Sequence, residues 1–84
     1  MLKVFCVHDS AVGAYLQPFF MRSKGEAVRG FTEVCNDSES QFNKSPRDYV
    51  LYEIGDFDDQ TGRILPQEPK AIGHAFEFIK DYSE

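Results

Sequence analysis

Several features are scarce in this sequence, and their scarcity excludes some protein classes. The chain of 84 residues has no tryptophan, only two cysteines, Cys6 and Cys35, and no stretch of 18 consecutive apolar residues. Two cysteines can form at most one disulfide, whereas small secreted domains contain several. A membrane-spanning helix needs about 20 apolar residues, which this sequence does not offer. The apolar stretch at residues 1–9 is too short for a signal peptide. We therefore expect a soluble protein with reduced thiols and no membrane partner.

Basic residues are also few, with nine against fourteen acidic ones and a formal net charge of −5. This balance argues against a protein that coats phosphate backbones or anionic membranes. The charge is divided unevenly, because residues 1–47 carry a net +1 and residues 48–84 carry −6. A local anion contact is therefore expected in the N-terminal half.

Motifs that carry chemistry are missing as well. The candidate groups for nucleophilic catalysis or zinc binding are Cys6, Cys35, His8 and His74, but their spacing matches no catalytic or zinc signature. The acidic segment 56–62 has Thr where an EF-hand loop requires Gly at its sixth position. We predict a non-enzymatic protein with no catalytic residues, no metal site and no cofactor. Zinc binding by the four residues stays open only if strand, helix and tail converge.

What the sequence does contain is enough apolar material for a small core. Hydrophobic residues make up 42% of the chain, and eight Phe and four Tyr supply twelve aromatic rings. A chain of this mass can bury roughly 60 to 65% of its unfolded surface. We expect residues 1–84 to form a single compact domain.

The first half of the chain predicts two strands and a helix. Residues 2–8 are apolar and β-branched, and residues 15–21 can return beside them if Pro18 lies at an edge or a bulge. Ser23 and Glu26 form an S-x-x-E capping box, which predicts a helix from about residue 24 to residue 36 or 37. The helix has one apolar stripe, formed by Ala27, Val28, Phe31, Val34 and Cys35. We expect Cys6 and Cys35 to be core residues between sheet and helix.

The second half predicts a hairpin and a short tail. Residues 37–47 have loop composition, residues 48–55 form the strongest strand pattern, and residues 63–65 return after a turn at 56–62. Ile72, Ala75, Phe76, Ile79 and Tyr82 have helical spacing, although His74, Phe76 and Phe78 also fit a strand. The expected fold is α+β: a small antiparallel sheet of about four strands in the order β-β-α-β-β, packed on one main helix, with a short C-terminal helix or strand.

Cations and rings cluster around the predicted junction of strand and helix. Proteins that bind single strands combine basic grooves with aromatic stacking platforms. The candidate phosphate contacts are Arg22, Lys24, Arg29, Lys44 and Arg47, and the candidate platforms are Tyr15 and Phe20. Two alternatives stay open. The rings can be core and the cations a solvated face, or the rings can form a protein interface, most simply in a homodimer.

A family resemblance covers most of the chain. Its segments are Val4–Asp9, Ala14–Val34 and Pro46–Asp59. Together they resemble the small nonstructural protein of gokushoviruses, the tailless single-stranded-DNA phages of the microvirus group. The tail after Ile64 is too generic to contribute.

The resemblance implies a phage protein of the host bacterial cytoplasm that is absent from the mature virion. It implies a DNA-replication or DNA-binding accessory factor that aids synthesis or packaging of single-stranded genomes, with no assigned active-site residues. The alternative function is a dimeric adaptor that contacts the replication initiator or the capsid protein without binding DNA.

Overall fold

The computed structural model describes residues 1–82 and has an α+β fold built on one five-stranded antiparallel sheet. The predicted fold class is therefore confirmed, with one strand more than expected. The elements are β1 Leu2–Asp9, β2 Ala14–Tyr15, β3 Phe19–Met21, α1 Lys24–Cys35, α2 Gln41–Lys44, β4 Tyr49–Asp58, β5 Arg63–His74 and a 3₁₀ turn Ala75–Phe78.

Strand β1 is central, with β4 on one side and both β2 and β3 on the other. Strands β2 and β3 act as one edge strand that is interrupted at residues 16–18. The amide of Leu16 still donates to the carbonyl of Val7 at 2.8 Å, but Pro18 has no amide hydrogen to continue the ladder. The predicted place of Pro18, at an edge or a bulge, is confirmed.

Helix α1 begins where the capping box predicts and ends close to the predicted residue 36 or 37. The Ser23 hydroxyl accepts from the Glu26 amide at 3.2 Å, and the Glu26 carboxylate accepts from the amide of Arg22 at 3.1 Å. The helix ends at Cys35, with Asn36 as its C-cap. Along the predicted stripe, Ala27, Phe31 and Cys35 are buried, whereas Val34 is 41% exposed at the edge of the stripe.

The helices cover one face of the sheet, which we call the helix-side face. Phe5 and Val7 of β1 and Leu51 of β4 belong to the same core cluster as the buried residues of α1. Successive strand residues point to opposite faces, so Cys6 lies on the other face, which we call the open face. The prediction that Cys6 lies between sheet and helix is therefore wrong, because Phe5 and Val7 occupy those positions.

The C-terminal half differs most from its prediction. Gly62 has a φ of +76°, as the predicted turn requires, but β5 continues past Pro66 and Pro69 as far as His74. An edge strand tolerates proline because one side of its backbone needs no ladder partner. The tail, predicted as a short helix or strand, contains both: its residues up to His74 extend β5, and Ala75–Phe78 form a single 3₁₀ turn. The predicted loop contains the short helix α2. None of the helices within residues 1–82 has the length and apolar character to cross a bilayer.

Candidate nucleic-acid interface

The open face presents apolar and aromatic side chains from every strand. On β1, Val4 and Cys6 are buried by their strand neighbours, and His8 is half-buried. The register places Tyr52 opposite Cys6 and Phe57 opposite Leu2. None of the helices belongs to this layer, because their buried residues join the core on the helix-side face.

Acidic side chains of the two central strands lie on the other side of the sheet. Nζ of Lys3 is 3.9 Å from Oε2 of Glu53 and 3.8 Å from Oδ1 of Asp56, so these three residues share a face. That face is the helix side, since Glu53 pairs with Phe5. By strand alternation Asp9 and Asp58 also lie there. In β1 and β4, which the structure describes in full, the open face carries no carboxylate.

Three rings with polar groups meet at one end of the open face. The ring centroids of His8 and Tyr15 are 4.7 Å apart, those of Tyr15 and Tyr52 are 5.6 Å apart, and those of His8 and Tyr52 are 6.4 Å apart. All three contacts are edge-on, and Tyr15 is 48% exposed at the sheet edge. Side chains that combine a π face with a hydrogen-bonding tip suit a base and its sugar-phosphate.

This ring group continues across the sheet toward the C-terminus. His74 pairs with Val50, which in turn pairs with His8, so the two imidazoles lie on the same face about 10 Å apart. The His74 ring stacks on Phe76 at 5.1 Å, and the Arg47 guanidinium carbon lies 5.6 Å from the Phe76 centroid. We call the set the polar ring band; its members are His8, Tyr15, Tyr52, His74, Phe76 and Arg47.

A shallow hollow of about 350 Å³ adjoins the polar ring band. Its lining is almost wholly apolar and consists of Cys6, Tyr15, Leu16, Pro18, Ile54 and Pro69. Burial raises the pKa of the Cys6 thiol, so this sulfur stays protonated at neutral pH. The hollow can receive an apolar ring, but its cysteine is not an activated nucleophile.

A second ring pair lies further along the open face. Phe20 and Phe57 are 5.5 Å apart, and Phe20 is 43% exposed. Phe20 pairs with Val4, and Tyr52 pairs with Cys6, so about 7 Å of strand separates the nearest members of the two groups. The predicted platforms Tyr15 and Phe20 thus share a face but belong to different groups.

The predicted cations are divided between the two sides of the sheet. Arg47 adjoins the polar ring band, and Arg22 directly follows β3, whereas Lys24, Arg29 and Lys44 lie on the helices. All five are exposed. None of the ion pairs described among residues 1–82 includes Arg22, Lys24, Arg29 or Lys44.

Sequence reasoning missed several members of the open face. His8, Tyr52 and Phe57 lie within predicted strand and turn segments, and their alternation with Val7, Leu51 and Asp56 is the signal that could have revealed them. The list of missed rings is His8, Tyr52, Phe57, His74 and Phe76. Alternation alone fails between residues 53 and 55, because register shifts at that point change which residues share a face.

The cysteine and histidine residues considered for zinc do not converge. Cys35 is fully buried on the helix-side face, while Cys6, His8 and His74 lie on the open face. Within residues 1–82 no group of three His, Cys, Asp or Glu side chains is placed to hold a metal ion. Burial raises the pKa of the Cys35 thiol to about 12, which suits a small core residue.

Comparison with known proteins places the chain among phage proteins. The sequence model of one family, described as Phage ORF5 protein, matches residues 2–78. The chain belongs to the Phage ORF5 protein family. The match spans all the strands and helices and every residue of the polar ring band. The expected phage origin is thus confirmed at the level of this family, and the assignment to gokushoviruses stays a prediction. Neither the curated proteins nor the solved structures gave a match.

Proposed function

We propose that this Phage ORF5 protein binds single-stranded DNA on the polar ring band, as a non-enzymatic accessory factor in synthesis or packaging of phage DNA. One observation carries the proposal: the sheet of a chain with net charge −5 gathers rings on a face where β1 and β4 place no carboxylate. Segregation of the acidic residues of β1 and β4 lowers the repulsion that the net charge predicts for a phosphate backbone, and Glu77, whose Oε2 lies 3.5 Å from Nδ1 of His74, is the carboxylate that adjoins the far end of the band.

The contacts of the band define how a strand would bind. Tyr15 at the sheet edge and the half-buried Tyr52 offer faces for stacking, which is worth about 1–3 kcal/mol per base. The hydroxyls of the tyrosines and the imidazole of His8 supply donors for phosphate or sugar, whereas Nδ1 of His74 lies 3.5 Å from Oε2 of Glu77. Arg47 supplies the guanidinium at the far end of the band.

Single strands fit this surface better than duplex does. Bases of a duplex are stacked on one another, so a flat sheet cannot reach their faces without unpairing them. The band contains one permanent cation, and few neutralised phosphates give a weak salt dependence. With one phosphate neutralised by Arg47, the logarithm of affinity should fall with a slope of about −0.7 against the logarithm of salt concentration.

Fluorescence anisotropy of a labelled oligothymidine tests the proposal. A length of about 16 nucleotides covers the site sizes of single-strand binding folds. Tyr15→Ala and Tyr52→Ala should each weaken binding about 5- to 100-fold, as expected for the loss of one stacked base. Val12→Ala is the matched control, because Val12 is exposed in the turn beside Tyr15 but outside the band. Circular dichroism and thermal unfolding verify that each variant is folded.

Charge variants locate the phosphate path within the same titration. Arg47→Gln should weaken binding and make the salt slope shallower by about 0.7, whereas Arg47→Lys should retain most of the slope. The double variant Lys24→Gln/Arg29→Gln alters cations of α1 on the helix side and should change affinity less than twofold. Wild-type protein that binds no oligonucleotide at low salt, or a loss confined to the helix variant, would contradict binding on the polar ring band.

A further inference from the structure

The end of the open face away from the polar ring band is purely hydrocarbon. The register brings Phe57 opposite both Leu2 and Ile64, Phe20 opposite Val4, and Pro66 opposite Gly55. Ile64 is 60% exposed. We call this surface the hydrocarbon patch; its members are Leu2, Phe20, Phe57, Ile64 and Pro66.

The reverse side of this half of the sheet is charged on β1 and β4, whereas Met21 of β3 packs against the helix-side core there. Lys3 bridges Glu53 and Asp56 there, and the terminal ammonium of Met1 is 3.2 Å from Oδ1 of Asp59. A four-stranded region with one charged face and one hydrocarbon face has the pattern of a single layer of a β-sandwich. Such a layer is stable when a second apolar layer covers it.

The overall dimensions are consistent with a missing layer. The chain measures 44 × 24 × 19 Å with a radius of gyration of 13.2 Å, where a compact chain of this length has about 11.8 Å. Its accessible surface is 5556 Å², compared with about 5,100 Å² expected for its mass. The excess surface indicates a sheet that extends beyond the helices that cover it.

We infer that the hydrocarbon patch packs against the same patch of a second copy of this chain, about a two-fold axis. In a two-fold dimer the same patch of each copy forms the interface. The patch must therefore carry no charges that would repel the identical charges of the second copy. The patch contains no charged group, although each copy carries −5. The carboxylates of Glu53 and Asp56 point to the opposite face, where they remain in solvent in the dimer.

Nucleic acid is a poorer occupant of this part of the face. None of the side chains of the hydrocarbon patch is a donor or a cation, and Arg22, which follows Phe20 by two residues, is the cation that adjoins it. Backbone neutralisation provides much of the affinity for DNA. Apolar side chains that are buried against other apolar side chains need no hydrogen-bond donor or cation as a partner. Phe20, a predicted stacking platform, then contacts the second copy, while Tyr52, the nearest residue of the polar ring band, lies about 7 Å away along β1.

The size of the patch sets the strength of the dimer. Four strands spaced at about 4.8 Å and the three residues of β4 from Gly55 to Phe57 at about 3.3 Å give a flat area of roughly 200 Å² per copy. A standard stable interface buries about 800 Å² per partner. The dimer should therefore be reversible and dependent on concentration.

Sedimentation velocity over a hundredfold range of concentration, up to about 0.5 mM, tests the inference. Wild-type mass should rise from 9.6 kDa toward twice that value, and Ile64→Glu should remain at 9.6 kDa throughout. Leu65→Glu is the matched control, because Leu65 is the next residue, is also exposed, and lies on the charged face opposite Asp56. This variant should dimerise like wild type.

Further measurements separate this inference from DNA binding. Phe20→Thr repeats the test at a second strand in case Ile64→Glu unfolds, and thermal unfolding identifies that case. Both patch variants should bind the labelled oligothymidine with wild-type affinity per chain. Wild-type protein that stays at 9.6 kDa, equal loss of dimer in the Ile64 and Leu65 variants, or loss of DNA binding without loss of dimer would overturn the inference.

Discussion

Cys6 and Cys35 show how face and burial decide the chemistry of a side chain. Cys35 lies between α1 and the sheet with no exposed surface, and burial raises the pKa of its thiol to about 12. Cys6 lies beneath the hollow on the open face, and burial raises its pKa as well. Both residues therefore act as small hydrophobic groups, and the folded protein is most stable when their thiols are protonated.

The raised pKa values of these thiols predict that the protein loses stability at alkaline pH. An unfolded thiol releases its proton near its ordinary pKa of 9.0, whereas the folded Cys35 keeps its proton up to about 12. Between these values the unfolded state binds fewer protons, so the free energy of unfolding should fall as pH rises, by up to about 1.4 kcal/mol per pH unit per thiol. Below about pH 9 this contribution should be constant.

Urea unfolding at about pH 8 and about pH 10 measures this effect. Cys35→Ala should lower stability at the lower pH, because it leaves a cavity, but it should also reduce the pH dependence. Tyr49, whose pKa is raised by burial and by Asp9 and Asp48, contributes further loss above its ordinary pKa of 10.0 in both proteins. An unchanged pH dependence in the variant would contradict the role given to Cys35.

At the scale of elements, Asn36 joins the end of α1 to the C-terminal segment. Its side-chain amide donates to the carbonyls of Thr32 at 2.7 Å and Phe78 at 2.9 Å. Its Oδ1 accepts from the amide of Lys80 at 2.8 Å. One side chain therefore caps the helix and holds the 3₁₀ turn against it, which keeps Phe76 beside Arg47.

Asn36→Ala should release this segment without unfolding the sheet. The loss of three hydrogen bonds should cost about 1–3 kcal/mol and should abolish the hydrogen-exchange protection of the Lys80 amide. Asn36→Asp is the matched control, because it keeps an acceptor for Lys80 while losing both donors. Equal protection of Lys80 in wild type and in Asn36→Ala would show that other contacts hold the segment.

The elements also differ in how far the sequence predicts them. Helix α1 and the turn at Gly62 are predicted closely, because the Ser23 cap and a positive φ are local requirements. Strand β5 is underestimated, since Pro66 and Pro69 indicate a break, whereas pairing with β4 keeps both prolines in the sheet. The tail has helical spacing, but its first residues pair with β4, and that partner is distant in sequence.

The residues of the candidate site also divide into those that the local sequence predicts and those that depend on pairing with distant strands. Tyr15 can be chosen from sequence because it stands in a segment of rings and cations near the capping box. Tyr52 cannot be assigned to a face from β4 alone, because the register shifts at residues 53–55 depend on the neighbouring strands. His74 and Phe76 join the polar ring band through the extension of β5 as far as His74, and helical spacing and strand alternation both fit this segment of the sequence.

For the whole molecule, the decisive property is the difference between the two faces of one sheet. The helix-side face buries the core at one end, where Asp9 also lies, and carries Glu53, Asp56 and Asp58 at the other. The open face bears the polar ring band at one end and the hydrocarbon patch at the other. Net charge alone suggests a protein that avoids DNA, whereas the distribution of charge leaves one surface suited to bases and another suited to a second copy.

Binding of single-stranded DNA on the polar ring band is the central claim, and NMR chemical-shift mapping tests it most directly. Titration of labelled protein with an unlabelled oligothymidine should shift the ring and amide signals of His8, Tyr15 and Tyr52, with smaller shifts at His74 and Phe76. Signals of the outer residues of α1, such as Arg29, should stay in place, and a duplex of equal length should cause smaller shifts. Shifts confined to α1, or no shifts at low salt, would contradict the account.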